Sequence, residues 1–186
     1  MIKEIYLIRH AQSEANVALD LDNPNFYYDA KLTSHGKKQA KNAKNKFKNI
    51  NFDLMLCSPL SRTLETFSLL FPDLIQDAVI LPFVREHALC SSEVGRQPAV
   101  LKKDFPNFNF NTLKNFWWNN NIPIDEKKII IESMDDLDKR VLIFKKWIQE
   151  RSEKRIALVS HGTFISRITN YLLNNCEFEI WNPDNG

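Results

Sequence analysis

Apolar runs of five or six residues recur along the chain, at Lys3–Ile8, Asp53–Cys57, Val79–Phe83, Arg155–Ser160 and Cys176–Trp181. Runs this short suit buried strands, and strands separated by helices return in the same direction, which builds a largely parallel sheet. Helical spacing lies between several of them. "TSHGKKQAKNAKNKF" offers Thr33 or Ser34 as an N-cap, with Ala40, Ala43 and Phe47 at spacings of three and four. "DDLDKRVLIFKKWIQ" aligns Leu137, Val141, Phe144 and Ile148 in one apolar stripe behind a first turn led by acids. "TFISRITNYLL" reads as a further helix, opening just after His161-Gly162. The expected architecture is an α/β fold of three layers: a mostly parallel sheet, helices on both faces and a small lid-like insertion. A single domain over 1–186 is expected, with the lid segment at 86–124.

Glycine usage narrows the chemistry. Gly36, Gly95, Gly162 and Gly186 are the only four, and they are far apart. A P-loop or a dinucleotide fingerprint packs several glycines into one turn so that backbone N–H groups can approach phosphate, and neither pattern is present. Any phosphate held by this chain is held mainly by side chains. The formal charge of +2 gives no reason to expect nucleic acid as a partner. No stretch has the apolar length to cross a bilayer, and the N-terminal residues lack the features of a secretory signal. Three widely spaced cysteines argue against a disulfide framework or a zinc site, so a cytoplasmic protein without a metal or cofactor is expected.

Polar residues follow directly on the strand-like runs. Arg9 and His10 follow the first, "SPLSR" ending in Arg62 follows the second, Glu86 comes shortly after the third, and His161-Gly162 follows "RIALVS". Ligands in open parallel sheets bind beyond the carboxyl ends of the strands, so these distant residues can converge. Two histidines, two arginines and a carboxylate make a kit for phosphoryl transfer. A neutral His10 imidazole can attack phosphorus, Arg9 and Arg62 can fork onto the non-bridging oxygens, and His161 can donate a further hydrogen bond. Glu86 can protonate the leaving oxygen. Each residue also has a plainer reading: Arg62 as decoration of a helix start, and Glu86 beside Arg85 as an exposed ion pair. The lysine-rich run 37–48 reads as a solvated helix face, and 104–124, rich in aromatics and asparagine, as a lid or an irregular excursion packing its own rings.

"LIRHAQSEAN" resembles the Arg-His-Gly signature of the histidine phosphatase superfamily, which includes cofactor-dependent phosphoglycerate mutases. "LTSHGKKQA", "LCSPLSRTLET", "REH" and "LVSHGTFISRI" follow in the expected order, so the resemblance runs from Ile5 to about Glu179. It implies that His10 is the phosphorylated nucleophile and that Arg9, Arg62 and His161 form the phosphate pocket with it. It also implies that Glu86 is the proton donor of the mutase-like branch, and that Ser13, Asn16 and Gly162 line the substrate pocket. Ala11 stands where glycine is usual. Gly162 follows His161 in place of the aspartate of the acid phosphatase branch, which strengthens Glu86. The chain is shorter than typical phosphoglycerate mutases. The resemblance therefore favours a metal-independent phosphomonoester hydrolase acting on a small phosphorylated substrate, with mutase-type transfer or a non-catalytic phosphate binder as alternatives.

A different phosphatase chemistry is also written in "CSSEVGR", where Cys90 and Arg96 have the separation used by cysteine-dependent tyrosine phosphatases. Glu93 would place a carboxylate inside that phosphate cradle, which counts against it. Arg85, His87, Arg96 and Lys102 could favour a second anionic group, or could simply be solvated surface.

Overall fold

The computed structural model describes residues 3–20 and 27–183. Five strands form one sheet: β1 (Glu4–Arg9), β2 (Leu54–Cys57), β3 (Ala78–Ile80), β4 (Arg155–Ser160) and β5 (Phe178–Trp181). Their order is β3-β2-β4-β1-β5. β1, β2 and β3 run parallel to their neighbours through β4, and only β5 is antiparallel, against β1. β3 stops short of the expected Phe83 because Pro82, lacking an N–H for the ladder, opens a 3-10 turn over Pro82–Val84.

Helices are α1 (Glu14–Asp20), α2 (Ser34–Ala43), α3 (Ser61–Leu70), α4 (Pro98–Asp104), α5 (Met134–Gln149) and α6 (Gly162–Thr169). Thr33 caps α2, its hydroxyl accepting from Gly36 N at 2.9 Å, and Ser133 caps α5 through Asp136 N. α6 ends earlier than its apolar pattern suggests, because Asn170 takes the left-handed conformation (φ 60°) that stops a helix.

Alternation along the strands divides the core in two. Tyr6, Ile8, Met55, Cys57, Ala157 and Val159 face a layer that includes Ala40 and Ala43 of α2 and Leu64 and Phe67 of α3. Ile5, Leu7, Leu56, Ile156 and Leu158 face the Leu137, Val141, Phe144 and Ile148 stripe of α5 and Phe164, Ile165 and Ile168 of α6. The three layers expected from the sequence are present, and the lysines of 37–48 are all exposed.

The aromatic stretch 104–124 is an irregular excursion whose rings join the α2–α3 side of the core. Phe108, Phe110, Leu113, Trp117 and Trp118 are buried there, with Phe108 edge-on to Phe67 at 5.7 Å. Trp117 lies so close over Gly95 that a Cβ on that glycine would fall 2.3 Å from the indole ring. Within the expected 86–124 lid segment, only its first part borders the cavity described next.

Candidate active site

At the carboxyl edge of the parallel strands lies a cavity of about 360 Å³. Arg9 ends β1 and His10 follows it, Arg62 sits in the first turn of α3, and Glu86 arrives from β3 through the Pro82–Val84 turn. All four line the cavity, together with Ser13, Asn16 and Gly162. His161, just past β4, is different. It is entirely shut from solvent and stands behind His10, the two rings 5.2 Å apart and edge-on.

The loop carrying His10 is fixed from several sides. Ala11 N donates to Thr66 Oγ1 at 3.1 Å, and Gln12 N to Gln39 Oε1 at 2.9 Å. Gly36 of α2 presses onto the same loop: a Cβ there would fall 2.0 Å from Gln12 O, so only glycine permits this approach. Ala11, where the family usually has glycine, is wholly buried and its methyl is accommodated. Asp29 reaches across to cap α3, accepting from Ser61 N at 2.7 Å, and thereby sets the helix that carries Arg62.

His10 Nδ1 lies 2.7 Å from the Ala11 carbonyl oxygen. A carbonyl can only accept, so Nδ1 carries the proton and Nε2 of the neutral ring keeps its lone pair. Burial, then the Arg62 guanidinium, hold the His10 pKa well below the usual histidine range; Arg9 adds to this, and the Ala11 bond opposes it. His161 is depressed by the same two leading causes. Its Nε2 is 2.8 Å from Ser58 Oγ, while its Nδ1 is buried without a partner. Should the Ser58 hydroxyl donate, Nδ1–H becomes a free donor.

Arg9 spends one nitrogen on the Leu173 carbonyl at 2.5 Å, and its Nε is also buried and unpartnered. Gly162 leaves room for this guanidinium, since a Cβ would stand only 3.1 Å from Arg9 Cζ. Arg62 donates to Ser92 O at 2.7 Å and pairs with Glu93 at 3.2 Å. Glu86 is not paired with Arg85. Its oxygens accept from Thr163 N and Phe164 N at the start of α6, both at 3.1 Å, and from His87 N at 2.9 Å. Asn16 Oδ1 gathers Ser13 N, Ser13 Oγ and Asn175 Nδ2, which leaves the Asn16 NH₂ group available to a ligand.

The four groups that could favour a second anion are engaged within the protein; His87, which borders the cavity, donates from Nε2 to the Glu132 carbonyl at 2.9 Å. Arg85 is buried against Glu132 at 3.6 Å, Arg96 grips Asp29 and Asp104 at 2.6 Å each, and Lys102 donates to the Pro106 and Phe108 carbonyls. The Cys90–Arg96 cradle is therefore not formed. Burial and the Glu93 charge also push the Cys90 thiol up, away from a thiolate nucleophile.

Four residues not singled out for this site shape it. Ser58 holds His161, and Glu93 holds Arg62. Arg140 of α5, almost wholly buried, donates to the carbonyls of Phe83, Arg85 and Glu86 while paired with Glu132, so it ties down the turn that presents Glu86. The only sequence trace of this clamp is an arginine three residues after Leu137 and four before Phe144, on the buried face of α5.

The family model described as histidine phosphatase superfamily (branch 1) matches residues 5–185. The chain belongs to the histidine phosphatase superfamily. Within it, the chain is 26% identical to phosphoglycerate mutase-like protein 1 of Arabidopsis thaliana, over 96% of this chain and 74% of that one. It is 25% identical to the adenosylcobalamin/alpha-ribazole phosphatase of Escherichia coli, over 95% of this chain and 82% of that one. Among solved structures, the alpha-ribazole phosphatase of Shigella flexneri superposes with a TM-score of 0.65 at 23% identity, over 95% of this chain and 89% of that one, a likeness of fold. The chain's relatives in the superfamily thus include one named a phosphatase and one named phosphoglycerate mutase-like.

Proposed function

We propose that this histidine phosphatase hydrolyses small phosphomonoesters through a phosphohistidine on His10. The observation that carries the reading is the His10 Nδ1 bond to the Ala11 carbonyl, which leaves Nε2 as a bare nucleophile in a cavity walled by two guanidinium groups. Nε2 attacks phosphorus and the bond from phosphorus to the ester oxygen breaks. Arg9 and Arg62 take the charge that gathers on the non-bridging oxygens, while His161 packs edge-on behind the His10 ring. Glu86 gives its proton to the departing alkoxide. Water then attacks the phosphohistidine, Glu86 takes back a proton, and phosphate leaves with His10 restored.

Glu86 Oε1 accepts from Phe164 N and His87 N and Oε2 only from Thr163 N, so Oε2 has a lone pair to take that proton with all three amide bonds kept. Ser13, Asn16 and Gly162 border the space where the rest of the substrate sits. Three unpaired cysteines, two of them buried, suit a reducing, cytoplasmic setting. No described helix is long and apolar enough to cross a membrane.

The test is hydrolysis of p-nitrophenyl phosphate with a chelator present, together with alkaline detergent-quench trapping of the labelled enzyme. Expected is turnover that survives chelation and an acid-labile phosphoenzyme, both lost in His10→Ala. Activity retained by His10→Ala and abolished by Cys90→Ser would overturn the mechanism. The similarity to a mutase-like relative makes phosphoryl transfer the second reading; it is read in the same assay by offering 3-phosphoglycerate and following 2-phosphoglycerate.

A further inference from the structure

The charge balance of the cavity limits what can be attached to the phosphoryl group. Its charged walls are Arg9, Arg62, Glu86 and Glu93, two cations against two carboxylates, or against Glu93 alone while Glu86 holds the proton it donates; His87, beside them, has Nε2 committed to the Glu132 carbonyl at 2.9 Å. Glu93 is not a distant acid: it is buried, pairs with Arg62 at 3.2 Å, and is fixed by Ser92 Oγ and by Cys90 N at 3.1 Å. A phosphoryl dianion therefore uses all the positive charge the walls offer. The other groups expected to favour a second anion are engaged elsewhere, Arg85, Arg96 and Lys102 away from the cavity and His87 through Nε2 on the Glu132 carbonyl. At the rim stand two large apolar side chains, Leu89 and Leu172, which are 54% and 59% exposed. Exposed leucines at a cavity mouth suit contact with an uncharged body.

Resting on the hydrolase reading above, we propose that the substrates are phosphomonoesters whose alcohol portion carries no second anion and presents an apolar face to Leu89 and Leu172. Glu93 is the specificity-determining residue, because it cancels the charge of Arg62 in the wall that a second carboxylate or phosphate would have to approach. Sugar bisphosphates and phosphorylated hydroxy acids are disfavoured on this basis, since a like charge brought against the carboxylates of a partly dry cavity is repelled.

The experiment compares phenyl phosphate with 4-carboxyphenyl phosphate, which differ by one carboxylate on the same ring. kcat/KM is expected to favour phenyl phosphate by about tenfold or more, the scale of one uncompensated like-charge contact. Leu172→Lys, which sets a cation at the rim, is expected to bring the ratio close to one and to make it depend on salt. Titration calorimetry of both esters on the His10→Ala protein gives the same comparison without turnover. A carboxylated ester that reacts or binds as well as the plain one in the otherwise unaltered cavity overturns the proposal. Should neither ester be hydrolysed while phenyl phosphate still binds more tightly, the hydrolase reading fails and the ligand class stands.

Discussion

His10 and Glu86 are both defined by what their polar atoms touch. The His10 imidazole is held neutral by burial and by Arg62, and Nδ1 is committed to a carbonyl. Attack needs the neutral ring, so acid inhibits only where that ring takes up a proton. Because the pKa is lowered, the acid limb of kcat/KM, corrected for ionisation of the substrate, is expected well below pH ~6.5, the ordinary histidine value. A midpoint at or above that value would contradict the burial argument. Glu86 is expected to reveal itself through the leaving group. Glu86→Gln should slow phenyl phosphate far more than p-nitrophenyl phosphate, by about 10²-fold or more against less than about tenfold, since an activated phenolate leaves without a proton. Equal loss on both esters counts against the acid role.

Among the elements, the turn from β3 to Glu86 depends on α5. Arg140 donates to three carbonyls of that turn and pairs with Glu132, both side chains being more than nine-tenths buried. Without Arg140, Glu132 keeps only Arg85 at 3.6 Å and three carbonyls lose their donor, at a cost of about 3 kcal/mol. Arg140→Met is expected to lower the urea midpoint accordingly. Replacing Arg85, Arg140 and Glu132 together by Met removes all three buried charges and should recover much of the stability. It should not recover kcat on phenyl phosphate, because the turn presenting Glu86 stays untied. Recovery of both stability and kcat in the triple variant would reduce Arg140 to a purely structural role.

For the molecule as a whole, two buried histidines couple stability to pH. Both rings stay neutral in the folded protein at pH values where the unfolded chain protonates them. The unfolded state then binds more protons below pH ~6.5, so stability falls as pH drops through that value, by up to about 1.4 kcal/mol per pH unit for each ring. Urea unfolding at pH 7.5 and 5.5 measures the loss, and His161→Gln should lose less between the two than the unaltered protein does. An equal or larger loss in that variant would exclude His161 as a source. The window is distinct from that of lowered carboxyls such as Glu153, held at about 2 by Arg151, whose contribution is lost only in stronger acid.

Sequence alone determined the layered α/β fold and the set of residues at its carboxyl edge, because both follow from local pattern. Strand length, helical spacing and the order of the motifs are properties of neighbouring residues, and Leu137, Val141, Phe144 and Ile148 face the core as their spacing requires. Tertiary structure decided everything that depends on partners distant in the chain. It set the antiparallel β5 beside β1, put His161 behind His10 instead of on the cavity wall, and turned Glu86 onto α6 and away from Arg85. It also spent Arg85, Arg96 and Lys102 on carboxylates and carbonyls that lie near them only in the folded chain. The physical reason is that a charge in a sequence has only a sign. Its partner, and with it its availability to a substrate, is fixed when the fold brings oxygen atoms within reach of it.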